Sequence, residues 1–222
     1  MSLSLPLTTY FSNFSEKTAE AIKNKRELIK FVSRERVYSE IMKTLSYSGA
    51  NKILCDFEEV FCFALAVSKL NLENIYEIPD IAEQKLAYIL LNEDFAAALN
   101  SLKADTKTKT MVKNICECSR ERLECDKYTI KCLLRKYGED AFFAALKING
   151  SDKRISDLTE SIIKNGECFN LEALKINGKR LVELGFKGEE IGKVLETLLD
   201  LVMRQRIQND TLSLEKALKS LK

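Results

Sequence analysis

The sequence predicts an all-α protein, an irregular, elongated multi-helix bundle with a small helical tail subdomain. Three observations point there. Strong helix breakers are rare, with eight glycines and two prolines in 222 residues. Apolar residues recur at three- and four-residue steps, and no window alternates as a half-buried strand does. Segment after segment opens on Ser, Asp or Asn and closes on Gly, which punctuates helix ends.

The elements follow in order. Ser15 caps a helix expected to run to about Phe31, with Ala19, Ile22, Leu28 and Ile29 at its apolar positions. Ser33 opens a second, with Val37, Ile41, Met42 and Leu45 inside, and Ser48-Gly49-Ala50 turns the corner. A strongly apolar helix is expected from Asn51 to Leu70, and another from Pro79-Asp80 onward. Asp94 to Leu102 is short and alanine-rich, and Thr106 to Arg122 forms the next helix. Asp126 caps Lys127–Tyr137, which Gly138 stops; Glu139–Ile148 ends at Asn149-Gly150. Ser151 or Asp152 starts a helix to Lys164, closed by Asn165-Gly166. The tail reads as a short helix after Gly178, a Gly185–Gly188 turn, a long helix to about Arg204 and a last one near Ser213–Leu221. Connections are short, as between antiparallel neighbours in a bundle.

Composition narrows the function. No apolar run is long enough to cross a bilayer. Residues 1–10 carry neither a basic start nor a small-residue cleavage site, so no signal peptide is expected. The seven cysteines, without secretory context, read as reduced thiols of a cytoplasmic protein. Histidine is absent, which excludes His-based acid–base chemistry and His-ligated zinc. A net charge of +2 leaves any nucleic-acid surface to local clustering of cations.

Four groups of residues invite a functional reading. Lys127, Lys131 and Arg135 are spaced by four and share a helix face. They either follow an RNA backbone or form an ordinary solvated face, within a wider basic stretch that includes Lys107, Lys109, Lys113, Arg120, Arg122 and Lys136. In the tail, Gly188 and Gly192 would bring helix amides to a phosphate, with Lys179, Arg180, Lys187 and Lys193 supplying charge. Against that, Glu189 and Glu190 suit the same helix N-terminus, and Gly192 also serves close helix packing. Ser33, Glu35, Arg36 and Glu40 either brace a site or merely cap a helix and pair its charges. Cys116, Cys118, Cys125 and Cys132 lack zinc-finger spacing and are expected to be buried small hydrophobes; no metal is expected in this chain.

Three of these stretches carry a resemblance. Ile176-Asn177-Gly178-Lys179-Arg180-Leu181-Val182-Glu183-Leu184-Gly185-Phe186-Lys187-Gly188-Glu189-Glu190-Ile191-Gly192-Lys193-Val194-Leu195 resembles the tail of bacterial-type CCA-adding tRNA nucleotidyltransferases and the related poly(A) polymerases. Asp126-Lys127-Tyr128-Thr129-Ile130-Lys131-Cys132-Leu133-Leu134-Arg135-Lys136-Tyr137-Gly138 resembles their body segment, and Val32-Ser33-Arg34-Glu35-Arg36-Val37-Tyr38-Ser39-Glu40-Ile41 their neck motif. The resemblance implies a neck over residues 1–48, a body over 49–166 and a tail over 167–222. It implies a chain that holds tRNA at the acceptor stem and elbow. Transfer of CMP and AMP to the tRNA 3′ end, with Mg2+ and CTP or ATP, would belong to a missing N-terminal catalytic head. The family's D-x-D pair is not in this sequence, Gly150-Ser151-Asp152 is a decoy for its G-S loop, and Leu5-Pro6-Leu7-Thr8-Thr9-Tyr10-Phe11 replaces its usual approach to the neck. The chain alone is therefore expected to be inactive. The alternatives are the same region of a poly(A) polymerase, or a non-catalytic helical interaction module.

Overall fold

The computed structural model describes residues 15–150 and 152–219. The expected approach segment at residues 5–11, Ser151, and the end of the last helix beyond Lys219 lie outside them. The described residues contain helices and turns and no strand, so the fold is all-α.

The chain divides into two compact units. Among the described residues the first comprises 15–121 and 140–150, the second 122–139 and 152–219. In the first, the Ser15 hydroxyl accepts the Thr18 amide and starts α1, Glu16–Asn24. The single helix expected here ends early. Lys25 leaves helical values, its amide is shared between the Ala21 and Ile22 carbonyls, and Arg26–Phe31 continues as a 3-10 helix. Helix α2 is Arg34–Leu45. The apolar stretch after it is also two helices, α3 at Ala50–Asp56 and α4 at Glu58–Leu65, broken at Phe57 with φ −125°. Phe57 is buried, so the break aims a ring into the core rather than continuing the spiral.

Helix α5, Ala82–Ile89, is the centre of this unit and packs against both α2 and α7, Thr106–Ser119. It is buried nearly all round, as a helix with no solvent stripe must be. Leu86, Ala87 and Ile89 are 0% exposed, and so is Lys85. The Lys85 ammonium pairs with Asp80, which explains why Pro79-Asp80 does not open the helix as expected: Asp80 serves a buried charge instead. Helix α6, Phe95–Ser101, is capped by Asp94, and α7 by Asp105. The Tyr38 hydroxyl donates to Asp105 at 2.5 Å and, with the Thr108 amide, holds that carboxyl down to about 2. Helix α9, Glu139–Ile148, completes the unit by burying Phe142 and Ala145.

Arg34, at the start of α2, ties three elements together. Its Nε donates to the Ser101 carbonyl at 2.9 Å, and its Nη2 to the Ala64 carbonyl at 2.6 Å. Both carbonyls lie in the last turns of helices, where acceptors lack partners and the dipole is negative. One planar guanidinium thus terminates α4 and α6 at once.

The second unit consists of α8, Lys127–Tyr137; α10, Lys153–Lys164; α11, Gly178–Glu183; α12, Glu189–Met203; and α13, Thr211–Leu218. Each start is capped by a side chain from Asp126, Asp152, Asn177 or Asp210, apart from α12. Its core gathers Leu181, Phe186, Leu198, Leu199, Met203 and Leu214, with Tyr128 and Cys132 packed against it.

Arg34→Ala should cost about 2 kcal/mol, the scale of charge-assisted hydrogen bonds to buried acceptors. Arg34→Lys should recover only part, because a point charge cannot reach both carbonyls. Denaturant midpoints measure this, and an alanine variant as stable as the parent would remove Arg34 from this role.

Candidate nucleic-acid interface

The i, i+4 spacing on α8 does place Lys127, Lys131 and Arg135 on one face, but that face meets carboxylates. Gly166, at φ +60°, closes α10, and the Glu167 amide returns to the Ile162 carbonyl at 3.0 Å. The turn delivers Glu167 to α8. Its carboxylate accepts Lys127 Nζ at 2.5 Å and Lys131 Nζ at 2.8 Å. Lys131 is 2% exposed and Lys127 half-buried. Burial pushes the Glu167 carboxyl up, but the hydrogen bonds from Lys127 and Lys131 outweigh it, and the group sits below the usual glutamate range. One turn on, Arg135 Nη2 donates to both oxygens of Glu196 on α12, at 2.6 and 2.8 Å. Lys131 is therefore an interior ion, and neither alternative raised for its helix face, RNA track or solvated stripe, describes it.

The same side of α8 carries a third link that the basic pattern did not signal. The Tyr128 hydroxyl donates to Asp200 at 2.5 Å and accepts from Arg204 Nη2 at 2.6 Å. Arg204 in turn donates to Asp200 at 2.8 Å and stacks 4.0 Å from the Tyr128 ring centroid. The hydrogen bond to Asp200, with burial, pushes the Tyr128 phenol up to about 12.

The tail is different. The Asn177 side chain caps α11 at the Arg180 amide, 3.0 Å away. A Cβ on Gly178 would meet Ile191 Cγ2 at 3.3 Å, so α11 begins against the first turn of α12. The chain between them turns through Gly185 and Gly188, the latter at φ +57°, ψ −136°, where a side chain is strained. Arg180 is held by Glu183 and Glu215, each at 2.8 Å. Lys179, Lys187 and Lys193 are exposed and form no ion pair among the described residues. Gly192 is exposed, and a Cβ there would meet nothing within 4 Å, so close packing is not its reason. Glu189 and Glu190 occupy the first turn of α12 and already complement its dipole.

At the start of α2, Ser33 is the N-cap by backbone, its carbonyl accepting the Arg36 and Val37 amides, but its hydroxyl makes no capping bond. Glu35 pairs with Lys103 at 2.7 Å and Glu40 with Lys43 at 2.9 Å; Arg36 is exposed. The wider basic stretch is partly internally matched. Lys113 lies 3.8 Å from Glu117, Arg122 lies 3.3 Å from Glu124, and Arg120 donates to the Leu91 carbonyl. Lys107 and Lys109 lie towards the start of α7.

Cys116 and Cys118 are buried as expected, and burial pushes the Cys116 thiol up to about 12. Cys132 is half-buried, and Cys125 departs from the expectation: it is exposed, in the uncapped stretch before Asp126. Among the described residues no group of three or more His, Cys, Asp or Glu could hold a metal ion.

Comparison with protein families bears on this arrangement. A family model described as "tRNA nucleotidyltransferase domain 2 putative" matches residues 82–218, more than half of the chain. The chain belongs to the tRNA nucleotidyltransferase/poly(A) polymerase family. A second model, described as "Probable RNA and SrmB- binding site of polymerase A", matches residues 13–60. No curated protein matches the chain. The first match spans the Glu167 latch and the glycine turn, and the second spans Ser33 to Glu40. Among the described residues no helix is long and apolar enough to cross a membrane.

Glu167→Gln leaves buried Lys131 without its counter-charge and should cost about 3 kcal/mol. Glu167 contributes stability above the ordinary glutamate range near about 4.3, and that contribution is lost as pH falls through its depressed folded value. The acid limb of a pH–stability curve should therefore be shallower in the Gln variant than in the parent. Identical limbs would show that Glu167 is not the group titrating there. Separately, Gly192→Ala should stabilise α12 by about 1 kcal/mol, since the site is open and helical. A lower thermal midpoint would mean the glycine serves the fold.

Proposed function

We propose that this chain is the tRNA-holding, non-catalytic portion of a CCA-adding tRNA nucleotidyltransferase. The carrying observation is the contrast between the two basic groups. On α8 the charges are matched by Glu167 and Glu196, whereas Lys179, Lys187 and Lys193 stand exposed around the Gly188 turn at the start of α12. Unmatched cations beside free helix amides suit phosphate oxygens, and phosphate contacts position an RNA without reading its sequence. In this reading the tail grips the outer part of tRNA, towards the elbow. The acceptor stem runs toward a catalytic head that is supplied by other residues of the parent enzyme. Mg2+ and CTP or ATP would bind in that head, and the enzyme would work in the cytoplasm.

The Gly188 turn gives the reading its chemistry. The first turn of α12 has no side-chain cap to occupy its amides, and Gly192 leaves the next turn free of a methyl group that would hold an RNA backbone away. Glu189 and Glu190 oppose an anion at the helix axis, so the phosphate is better placed at the lysine side of the turn than over the helix end. Arg180, committed to Glu183 and Glu215, serves as a strut rather than a hand. Ser33, Glu35, Arg36 and Glu40 would brace the underside of the nucleotide pocket, with exposed Arg36 the one of them left to reach across to it. The adenylate-only rival, a poly(A) polymerase, shares this surface and differs in what the head incorporates.

Gel shifts of this chain with tRNA lacking its CCA end, at low and physiological salt, test the reading. Replacing Lys179, Lys187 and Lys193 together by Ala should weaken binding and flatten the log–log salt slope by about one per lysine. An unchanged slope would remove the tail from the interface, and the Gly192→Ala variant should bind less tightly although it folds better. The chain alone should incorporate neither CMP nor AMP; turnover by the pure protein would overturn the non-catalytic assignment.

A further inference from the structure

Three glycines follow an asparagine, at Asn149-Gly150, Asn165-Gly166 and Asn177-Gly178. Asparagine before glycine is where a chain most readily loses a side-chain amide, because a glycine nitrogen with no Cβ beside it can close on the asparagine Cγ. All three asparagines are exposed, so contact with water does not rank them. Their hydrogen bonds do.

Two of the three are tied down. The Asn149 Nδ2 donates to the Ser119 carbonyl at 2.9 Å, and the Gly150 amide to the Lys147 carbonyl at 3.2 Å. The Asn165 Nδ2 donates to the Ser161 hydroxyl at 3.3 Å, and the Gly166 amide to the Ile163 carbonyl at 3.0 Å. In both pairs the nitrogen that would attack and the nitrogen that would leave are held by other acceptors. Asn165 is also right-handed helical, at φ −80° and ψ −2°, which turns the Gly166 nitrogen away from Cβ.

Asn177 differs at each of these points. Its backbone is extended, at φ −129° and ψ 173°, which brings the Gly178 nitrogen round to the side of Cβ and hence toward Cγ. Gly178 is the first residue of α11, where the helix offers an amide no acceptor, and that amide makes no hydrogen bond among the described residues. The Asn177 Oδ1 accepts the Arg180 amide at 3.0 Å. A donor there draws charge from Cγ and meets the negative charge that grows on the oxygen during attack. The Nδ2 makes no hydrogen bond among the described residues and is free to depart.

We propose that Asn177 is a self-modification site, at which the Gly178 nitrogen closes on Cγ and the side-chain amide is lost as ammonia. The N–Cγ bond forms, the Cγ–Nδ2 bond breaks, and the Gly178 amide proton passes through solvent to the departing nitrogen. Water, the one co-reactant, opens the resulting succinimide at either carbonyl. Opening at Cγ leaves aspartate, which still caps α11. Opening at the main-chain carbonyl leaves isoaspartate, which lengthens the backbone by a methylene where α11 begins against α12. Either product adds a negative charge close to Lys179 and Arg180.

The test is to hold the folded full chain in mildly alkaline buffer, digest samples at low pH and follow peptide masses over time. The peptide carrying Asn177 should exchange amide for carboxyl several-fold faster than those carrying Asn149 and Asn165. In urea, which removes the hydrogen bonds and leaves the sequence, the three rates should converge. Asn177→Ser keeps a capping oxygen but cannot form the ring, so the folded variant should gain no isoaspartate at this position while the other two peptides behave as in the parent. Equal rates in the folded chain, a slower rate at Asn177 than at either other site, or the same ranking in urea as in buffer would overturn the proposal.

Discussion

Much of the second unit depends on one carboxylate. Glu167 stands between two lysines of α8, one of them in the interior, and no other acidic group is paired with either among the described residues. Burying an ammonium is tolerable only when its charge is matched and hydrogen-bonded, so the position of Glu167 fixes where α8 lies against the end of α10. Arg135 with Glu196, and Tyr128 with Asp200 and Arg204, repeat the arrangement along the same helix toward α12. A stretch that is rich in cations by composition is thereby converted into an internal frame, and the frame is what presents the α11–α12 turn to solvent.

This division has a functional logic within a family that handles RNA. Charges that hold a fold together are matched and desolvated, and they do not release counterions when RNA arrives. Charges that hold RNA must remain hydrated and unmatched until it does. In the proposed reading the two kinds are separated by about fifty residues of sequence and sit on different elements, so substitutions would change one without the other. That separation explains why net charge is a poor guide to this protein: a chain close to neutrality still offers a local cationic edge.

Helix starts were the most legible part of the sequence. Ser15, Asp126 and Asp152 accept a first-turn amide as read, and α8 and α9 fall within the limits that Asp126, Gly138 and Asn149-Gly150 set, whereas Asp105, Asn177 and Asp210 cap helices whose starts, as read, lie one to three residues beyond them. The two helices read as too long failed for a shared reason. Neither the break at Phe57, which lies between Asp56 and Glu58, nor the turn at Lys25 is marked by a glycine or proline, so nothing local stops the helix there. The candidate site was half legible. Spacing put Lys127, Lys131 and Arg135 on one face, but what that face meets is a glutamate 36 residues beyond Lys131, and only tertiary structure brings it there. Exposure of Cys125 was legible in part, since it falls in the connection between Arg122 and Asp126 whereas Cys116 lies within a helix.

The path of the chain through its two units carries a consequence of its own. It leaves the first unit after Glu121, builds α8 in the second, returns to lay α9 with Phe142 in the first core, and leaves again at Gly150. During synthesis, then, the first core stays open until α8 has already emerged from the ribosome, and α8 waits with an uncompensated lysine until Glu167 follows. Neither half can mature before the other has begun. A single cut cannot release either half intact, and a protein engineer wishing to graft the tail elsewhere would have to carry α8 along and rejoin the chain around α9.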